Sequence, residues 1–251
     1  MSKRIIFGAR ALVVGLCLAA VGVTTTAKHA HADWEDDYFA CLSENNANRG
    51  IEACERTLRS PALTGEERAG VFQALAKFQR KTRQYDAARS SLEQSLALDP
   101  SNLVAMVAMG DAHYADQNFV LARDSYSEVL SRNSADVRAL NNRALAFAAL
   151  GEFDAALQDL QLALTLTPNN GDIWNNRANL NCRFGRASEA FTDRMQALYS
   201  GRFTAAAAQA GLRSSGYYRG PADGIWGPDS EDALKDWTDA GCPDAPKTRL
   251  I

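Results

Sequence analysis

Self-similarity at a spacing of 34 residues constrains this chain more than any other feature. Pro100 in "LALDPSN" and Pro168 in "LTLTPNN" lie 68 residues apart, twice that spacing, with Ser134 in "LSRNSAD" midway. Ala88, Ala122, Ala156 and Ala190 fall into one register. Tyr85, Phe119 and Phe153 fall into another, with Ala187 in the last copy. Gly110 meets Ala76, Ala144 and Ala178, and Trp174 meets Phe72, Met106 and Leu140. Bulky and small positions thus recur in phase. A unit of this length cannot bury its own apolar faces, so copies must stack on one another to make a core.

These residues resemble the tetratricopeptide repeat, a pair of helices with small residues where the two touch. Four copies fit, at 69–102, 103–136, 137–170 and 171 to about 200, and a degenerate unit at 35–68 precedes them. The resemblance implies an all-α, right-handed solenoid of four repeats plus a degenerate N-terminal helix pair. In that frame Cys54 takes the inter-helix alanine position and Cys41 lies one helix earlier, across a turn near Asn46–Gly50.

The first 32 residues read as an export signal. Lys3, Arg4 and Arg10 precede an apolar run from Ala11 to Val23, and "AHA" closes a polar stretch. Thirteen residues are too few for a membrane span, so no integral membrane segment is expected in the mature chain. Cleavage is expected after Ala32, which gives signal peptide 1–32, repeat array 33–200 and a further unit at 201–251. Losing four basic residues leaves 23 against 30 acidic ones, a formal charge of −7. Such a chain is a poor fit for nucleic acid. The location implied is periplasmic or cell-envelope associated.

Four cysteines remain after Cys17 is removed. An even number in an exported chain suggests two disulfides, which could connect in three ways. The repeat frame favours Cys41–Cys54, leaving Cys182–Cys242. None of the spacings suits zinc, and His113 is the single histidine left, so neither metal nor cofactor is expected.

A second coupling lies within the repeats. Arg143 and Arg177 are each followed sixteen residues later by aspartate, Asp159 and Asp193. The earlier copies have Leu75 and Met109 there, followed by Ser91 and Ser125. Ion pairs Arg143–Asp159 and Arg177–Asp193 are expected between the helices of one repeat.

Family resemblance places a peptide groove on the first helix of each pair. Carried over by position, its residues are Gln73, Lys77, Arg80 and Lys81, then Asp111 and Tyr114, then Arg138 and Asn141, then Asn175, Asn179 and Arg183. Amides suit an extended backbone and the cations suit a carboxylate.

After Gly201 the 34-residue frame fails. Gln209, Leu212, Gly216, Tyr217, Asp223, Gly224, Trp226, Gly227, Ser230, Ala233, Leu234 and Trp237 resemble, in order, the peptidoglycan-binding-like module of exported bacterial proteins. This implies a small three-helix unit, with Ser230 as a helix N-cap. Candidate glycan contacts are Tyr217, Tyr218, Arg219, Asp223 and Trp226. Trp226 and Trp237 sit where the family buries aromatics, while Tyr218 and Arg219 are expected at the surface.

No nucleophile–base arrangement, phosphate loop or metal motif is present in the sequence, and no catalytic residue is proposed. The expectation is a non-catalytic adaptor with a protein or peptide partner and peptidoglycan as a second ligand. The alternatives are a pure protein-interaction solenoid capped by its last unit, and an accessory factor of cell-wall enzymes.

Overall fold

The structure, a computed structural model, describes residues 24–243. Residues 1–23, which carry the charged and apolar parts of the export signal, lie outside the described residues. Among those described there are twelve α-helices and no strand. The first ten are α1 (Thr24–Ser43), α2 (Ala47–Leu58), α3 (Gly65–Lys81), α4 (Tyr85–Leu98), α5 (Leu103–Ala115), α6 (Phe119–Arg132), α7 (Val137–Leu150), α8 (Phe153–Leu166), α9 (Gly171–Arg183) and α10 (Ala187–Tyr199). Each odd-numbered helix packs on the even-numbered one that follows it, across a short loop. Two more, α11 (Ala205–Ser214) and α12 (Pro228–Asp239), close the described chain. The expected cleavage point after Ala32 falls inside α1.

The 34-residue period is written into the backbone. Arg83, Gln117, Gly151 and Gly185 all adopt left-handed φ, at 62°, 62°, 81° and 67°. The residue after each donates its N–H to the carbonyl five residues back: Gln84 to Gln79, Asn118 to His113, Glu152 to Phe147 and Arg186 to Asn181, all at 2.8–2.9 Å. This is the C-terminal closure that a left-handed residue allows, and it turns each first helix sharply into its partner. The next pair then begins on a polar cap. Asn102, Asp136 and Asn170 accept N–H bonds from Ala105, Ala139 and Ile173, satisfying donors the new helix leaves free. α3 starts instead on a reciprocal Thr64–Glu67 capping box.

Small residues set the helix spacing. Ala88, Ala122, Ala156 and Ala190 are fully buried, beside the buried Leu92, Tyr126 and Leu160 one turn later. A Cβ at Gly110 would lie 2.5 Å from the Tyr126 ring. A small residue also allows close approach where α2 meets α3 of the next pair. Gly50, expected in a turn, lies within α2, where a Cβ would lie 2.5 Å from Phe78. The turn is made a little earlier, by Glu44 to Asn46, with Asn46 as the cap of α2. Cys41 and Cys54 are bonded across it, Cα atoms 4.6 Å apart.

Residues after Gly201 do not stand clear of the array. Two helices, not three, occur there among the described residues, and α12 packs on α10. Leu212, Tyr218, Leu234 and Trp237 share one apolar cluster with Ala190 and Met195 of α10. Cys182 at the end of α9 is bonded to Cys242, Cα atoms 5.7 Å apart. Ser230 does not cap α12. Pro228 opens the helix at its first turn with Gly227 before it, and Ser230 is buried inside. Proline favours that opening because its missing N–H is not needed there.

Candidate functional site

The predicted groove residues divide into an exposed set and a committed set. Lys77, Lys81, Arg138 and Arg183 are exposed. Arg80 is half-buried and reaches Asp111 at 3.3 Å. Gln73 donates to Ser95 Oγ at 3.3 Å, and Tyr114 packs edge-on against Phe119. Asn141, Asn175 and Asn179 are buried, which corrects the expectation that their amides line an open surface.

Asn141 belongs to a polar ladder running through the stacked first helices. Asn176 Nδ2 donates to Asn141 Oδ1 at 2.9 Å, Asn141 Nδ2 to Asn142 Oδ1 at 2.9 Å, and Asn142 Nδ2 to Asp111 Oδ1 at 3.0 Å. Tyr126 donates its hydroxyl to the same Asp111 oxygen at 2.8 Å. The ladder joins α9, α7 and α5, and the Arg80–Asp111 pair carries it to α3. Burial pushes the Asp111 carboxyl above its ordinary range, against the opposing pull of Arg80, Tyr126 and Asn142. Burial and the nearby Asp111 carboxylate push the Tyr126 hydroxyl up, so it is a permanent donor. Sequence reasoning missed Asn142, Asn176 and Tyr126 as members. The signal was the doubled asparagine at 141–142 and 175–176, in the same register.

Arg143 and Arg177 reach their aspartates as the sequence predicts. Nε and Nη2 of Arg143 donate to the two oxygens of Asp159, each at 2.8 Å. Arg177 grips Asp193 in the same way, at 3.0 and 2.6 Å. Each arginine also reaches back to the preceding pair, Arg143 to Ser127 Oγ and Arg177 to Gln161 Oε1. Where the arginine is absent, Ser91 turns to Gln79 and Ser125 to its own helix backbone.

In the C-terminal turn, Gln209 is the hub. Its amide N–H groups face Ile225 O, Ser230 Oγ and Asp223 Oδ1, and its carbonyl accepts from Gly224 N–H at 2.9 Å. Gly224 has φ +82°, a conformation that glycine adopts without strain. Tyr218 is buried rather than exposed, its hydroxyl beside Gln209, which corrects its placement at the surface. Tyr217 and Trp226 are half-buried; Arg219 and Asp223 are exposed. Ile225 stands out at 73% exposure.

Two overlapping matches to the family model for the tetratricopeptide repeat cover residues 74–130 and 107–171. This chain contains tetratricopeptide repeats. Those two matches span α4 to α8 and parts of the flanking α3 and α9, where the 34-residue backbone pattern is most regular. A 90-residue stretch is 30% identical to Hsp70-Hsp90 organizing protein 3 of Arabidopsis thaliana, covering 36% of this chain and 16% of that one. A 178-residue stretch is 30% identical to cellulose synthase 1 operon protein C of Komagataeibacter xylinus, covering 70% of this chain and 13% of that protein. The chain thus spans under a fifth of either relative. Among solved structures, MamA 41-end from Desulfovibrio magneticus RS-1 superposes with a TM-score of 0.55 at 16% identity, over 69% of this chain and 94% of that one. That likeness shows a shared repeat fold.

No described helix is long and apolar enough to cross a membrane. Among the described residues no group of histidine, cysteine and carboxylate side chains is placed to hold a metal ion.

Proposed function

We propose that the chain is an exported, non-catalytic adaptor whose repeat array docks an acidic segment of a protein partner. The observation that carries this reading is the set of four exposed cations, Lys77, Lys81, Arg138 and Arg183, on the first helices α3, α7 and α9. None of them takes part in a close ion pair among the described residues, on a chain whose net charge is negative. Exposed basic groups of this kind speed and orient the encounter with an acidic partner. The buried asparagines contribute rigidity instead, holding the first helices in register beneath the cations.

The test uses the full chain. Charge reversal of Lys77, Lys81 and Arg138 to glutamate, with the fold checked by circular dichroism, removes capture of acidic peptides from a displayed library. Unchanged capture overturns the reading. Export is tested separately, by N-terminal sequencing of the mature protein: Asp33 is the expected first residue.

At the C-terminal turn, the proposal retains contact with bacterial cell wall through the exposed Arg219 and Asp223, beside the half-buried Tyr217. Tyr218 and Trp226 are engaged in packing and are poor sugar platforms. A second reading, that this unit only caps the solenoid, is favoured by the Cys182–Cys242 bond and by Arg202 pairing with Asp172 at 2.9 Å. Co-sedimentation with insoluble peptidoglycan separates the two. Wall contact predicts a pellet that the Tyr217→Ala, Arg219→Ala variant fails to enter, and a cap predicts that the wild-type protein stays in solution.

A further inference from the structure

Arg194 occupies a core position. Its equivalents at 34-residue steps are Leu92, Tyr126 and Leu160, each buried. In α10 the position faces a pocket of about 380 Å³ between α10, α11 and α12. Leu198, Phe203, Leu212, Trp226, Leu234 and Trp237 supply most of its apolar wall.

The two buried polar atoms of the pocket wall that lack a partner are both donors. Arg194 donates from its two Nη atoms to the side-chain oxygens of Asn175 and Asn179, which are neutral. The Trp237 ring lies over the guanidinium at 5.2 Å. The neighbouring carboxylate, Asp193, is held by Arg177. No carboxylate of the described residues pairs with Arg194 within 4.0 Å. Its Nε is buried without a partner, and so is Nε1 of Trp226 on the same wall. Burial lowers the guanidinium pKa to about 10, which still leaves it charged at neutral pH. A largely buried cation that no carboxylate pairs directly, with two orphaned donors, is a costly arrangement. Together with the apolar wall, they suit an anion with acceptor oxygens attached to an apolar body.

We propose that this pocket binds a small amphipathic monocarboxylate, its hydrocarbon body against the leucines and aromatics and its carboxylate accepting from Arg194 Nε, with Trp226 Nε1 as the second donor. A volume of about 380 Å³ lies within the range of small-molecule sites. With Nε the one guanidinium nitrogen that lacks a partner, the site suits a monoanion better than a phosphate, which calls for several donors at once.

The test is calorimetry on the full-length protein with dodecanoate and dodecanol, both below the concentrations at which they aggregate. Dodecanoate is expected to bind one to one, about 10- to 100-fold more tightly than the alcohol, the range set by a hydrogen bond to a charged group. Arg194→Leu restores the residue found at 92 and 160 and should fold. It is expected to bring the two affinities together. Ala208→Trp, which fills the pocket, is expected to abolish both. The proposal is overturned if wild-type protein binds neither probe, if it binds both equally, if Arg194→Leu keeps the preference, or if Ala208→Trp leaves binding intact.

Discussion

Arg143 holds Asp159 through two parallel N–H···O bonds of 2.8 Å, and a third donor of the same guanidinium reaches Ser127 in the preceding pair. One side chain therefore ties three helices, α6, α7 and α8. Thirty-four residues on, Arg177 does the same with Asp193 and Gln161. The geometry makes arginine irreplaceable by lysine there, because only a planar fork can serve both oxygens and a third acceptor.

Removing one partner should be far worse than removing both. Asp159 is 7% exposed, so Asp159→Ala leaves a poorly solvated guanidinium unpaired, at a cost of about 3–5 kcal/mol. The double change Arg143→Leu, Asp159→Ser copies the pairing of Leu75 with Ser91 and should recover most of that loss. Chemical denaturation of the three proteins checks this. Equal stability of the single variant and wild type would show that the pair carries no weight.

The left-handed turn position offers a gain. Arg83 and Gln117 stand where the later copies have Gly151 and Gly185. A side chain in that conformation costs about 1–2 kcal/mol, offset in part because glycine loosens the unfolded chain. Gln117→Gly should therefore stabilise by about 0.5–1 kcal/mol, and Gly151→Ala should destabilise by a similar amount. A rise in melting temperature for the first and a fall for the second is the expected pattern.

The repeat and the ion pairs were readable because each depends on which residues recur at one spacing; Cys41–Cys54 followed from the repeat frame, and Cys182–Cys242 was the pair that remained. The groove asparagines were misplaced because position within a repeat does not say whether a neighbouring helix covers it. Asn141 is covered by Asn142 and Asn176, and Tyr218 by Gln209 and the α12 packing. Ser230 was misread for a local reason: both it and Pro228 can open a helix, and the proline, two residues earlier, takes precedence. Arg194 was visible all along as an arginine in a leucine register, but its meaning needed the pocket.

Asp111 should give stability a definite pH dependence. Burial raises its carboxyl pKa in the folded state above the ordinary value of 3.8, so the folded protein binds the proton more readily than the unfolded chain. Stability then falls as pH rises from about 3.8 through the raised value, and is relieved on the acid side. Asp111→Asn removes that slope. The cost of this substitution should thus be larger near pH 4 than at neutral pH, measured by denaturation at each pH. A cost independent of pH would mean that burial is not governing the carboxyl.

The two disulfides should differ in worth. Cys41–Cys54 closes 13 residues and Cys182–Cys242 closes 60. Chain entropy alone assigns them about 3 and 4 kcal/mol. The second also holds α12 and its turn against α9 and α10, so its loss should expose Trp237. Serine pairs at each site, compared by denaturation and tryptophan fluorescence, test both points. With Trp34 of α1 replaced by phenylalanine throughout, a fluorescence change from the Cys41, Cys54 pair alone would contradict the assignment.

Gly110 and Tyr126 fit each other where the first and third repeats pair alanine with leucine. Ala76 goes with Leu92 and Ala144 with Leu160 in the same registers. Tyrosine is larger, and its ring fills the place a Cβ on residue 110 would take, at 2.5 Å. Gly110→Ala forces the ring aside, away from Asp111, and should cost about 1–3 kcal/mol as an overpacked core does. Adding Tyr126→Leu recreates the combination used by the neighbouring copies. It relieves the clash but leaves Asp111 with one donor fewer. Recovery should therefore be partial, and a double-mutant cycle should show clear positive coupling. Additive costs would mean that the two positions, despite the geometry, were not selected for one another.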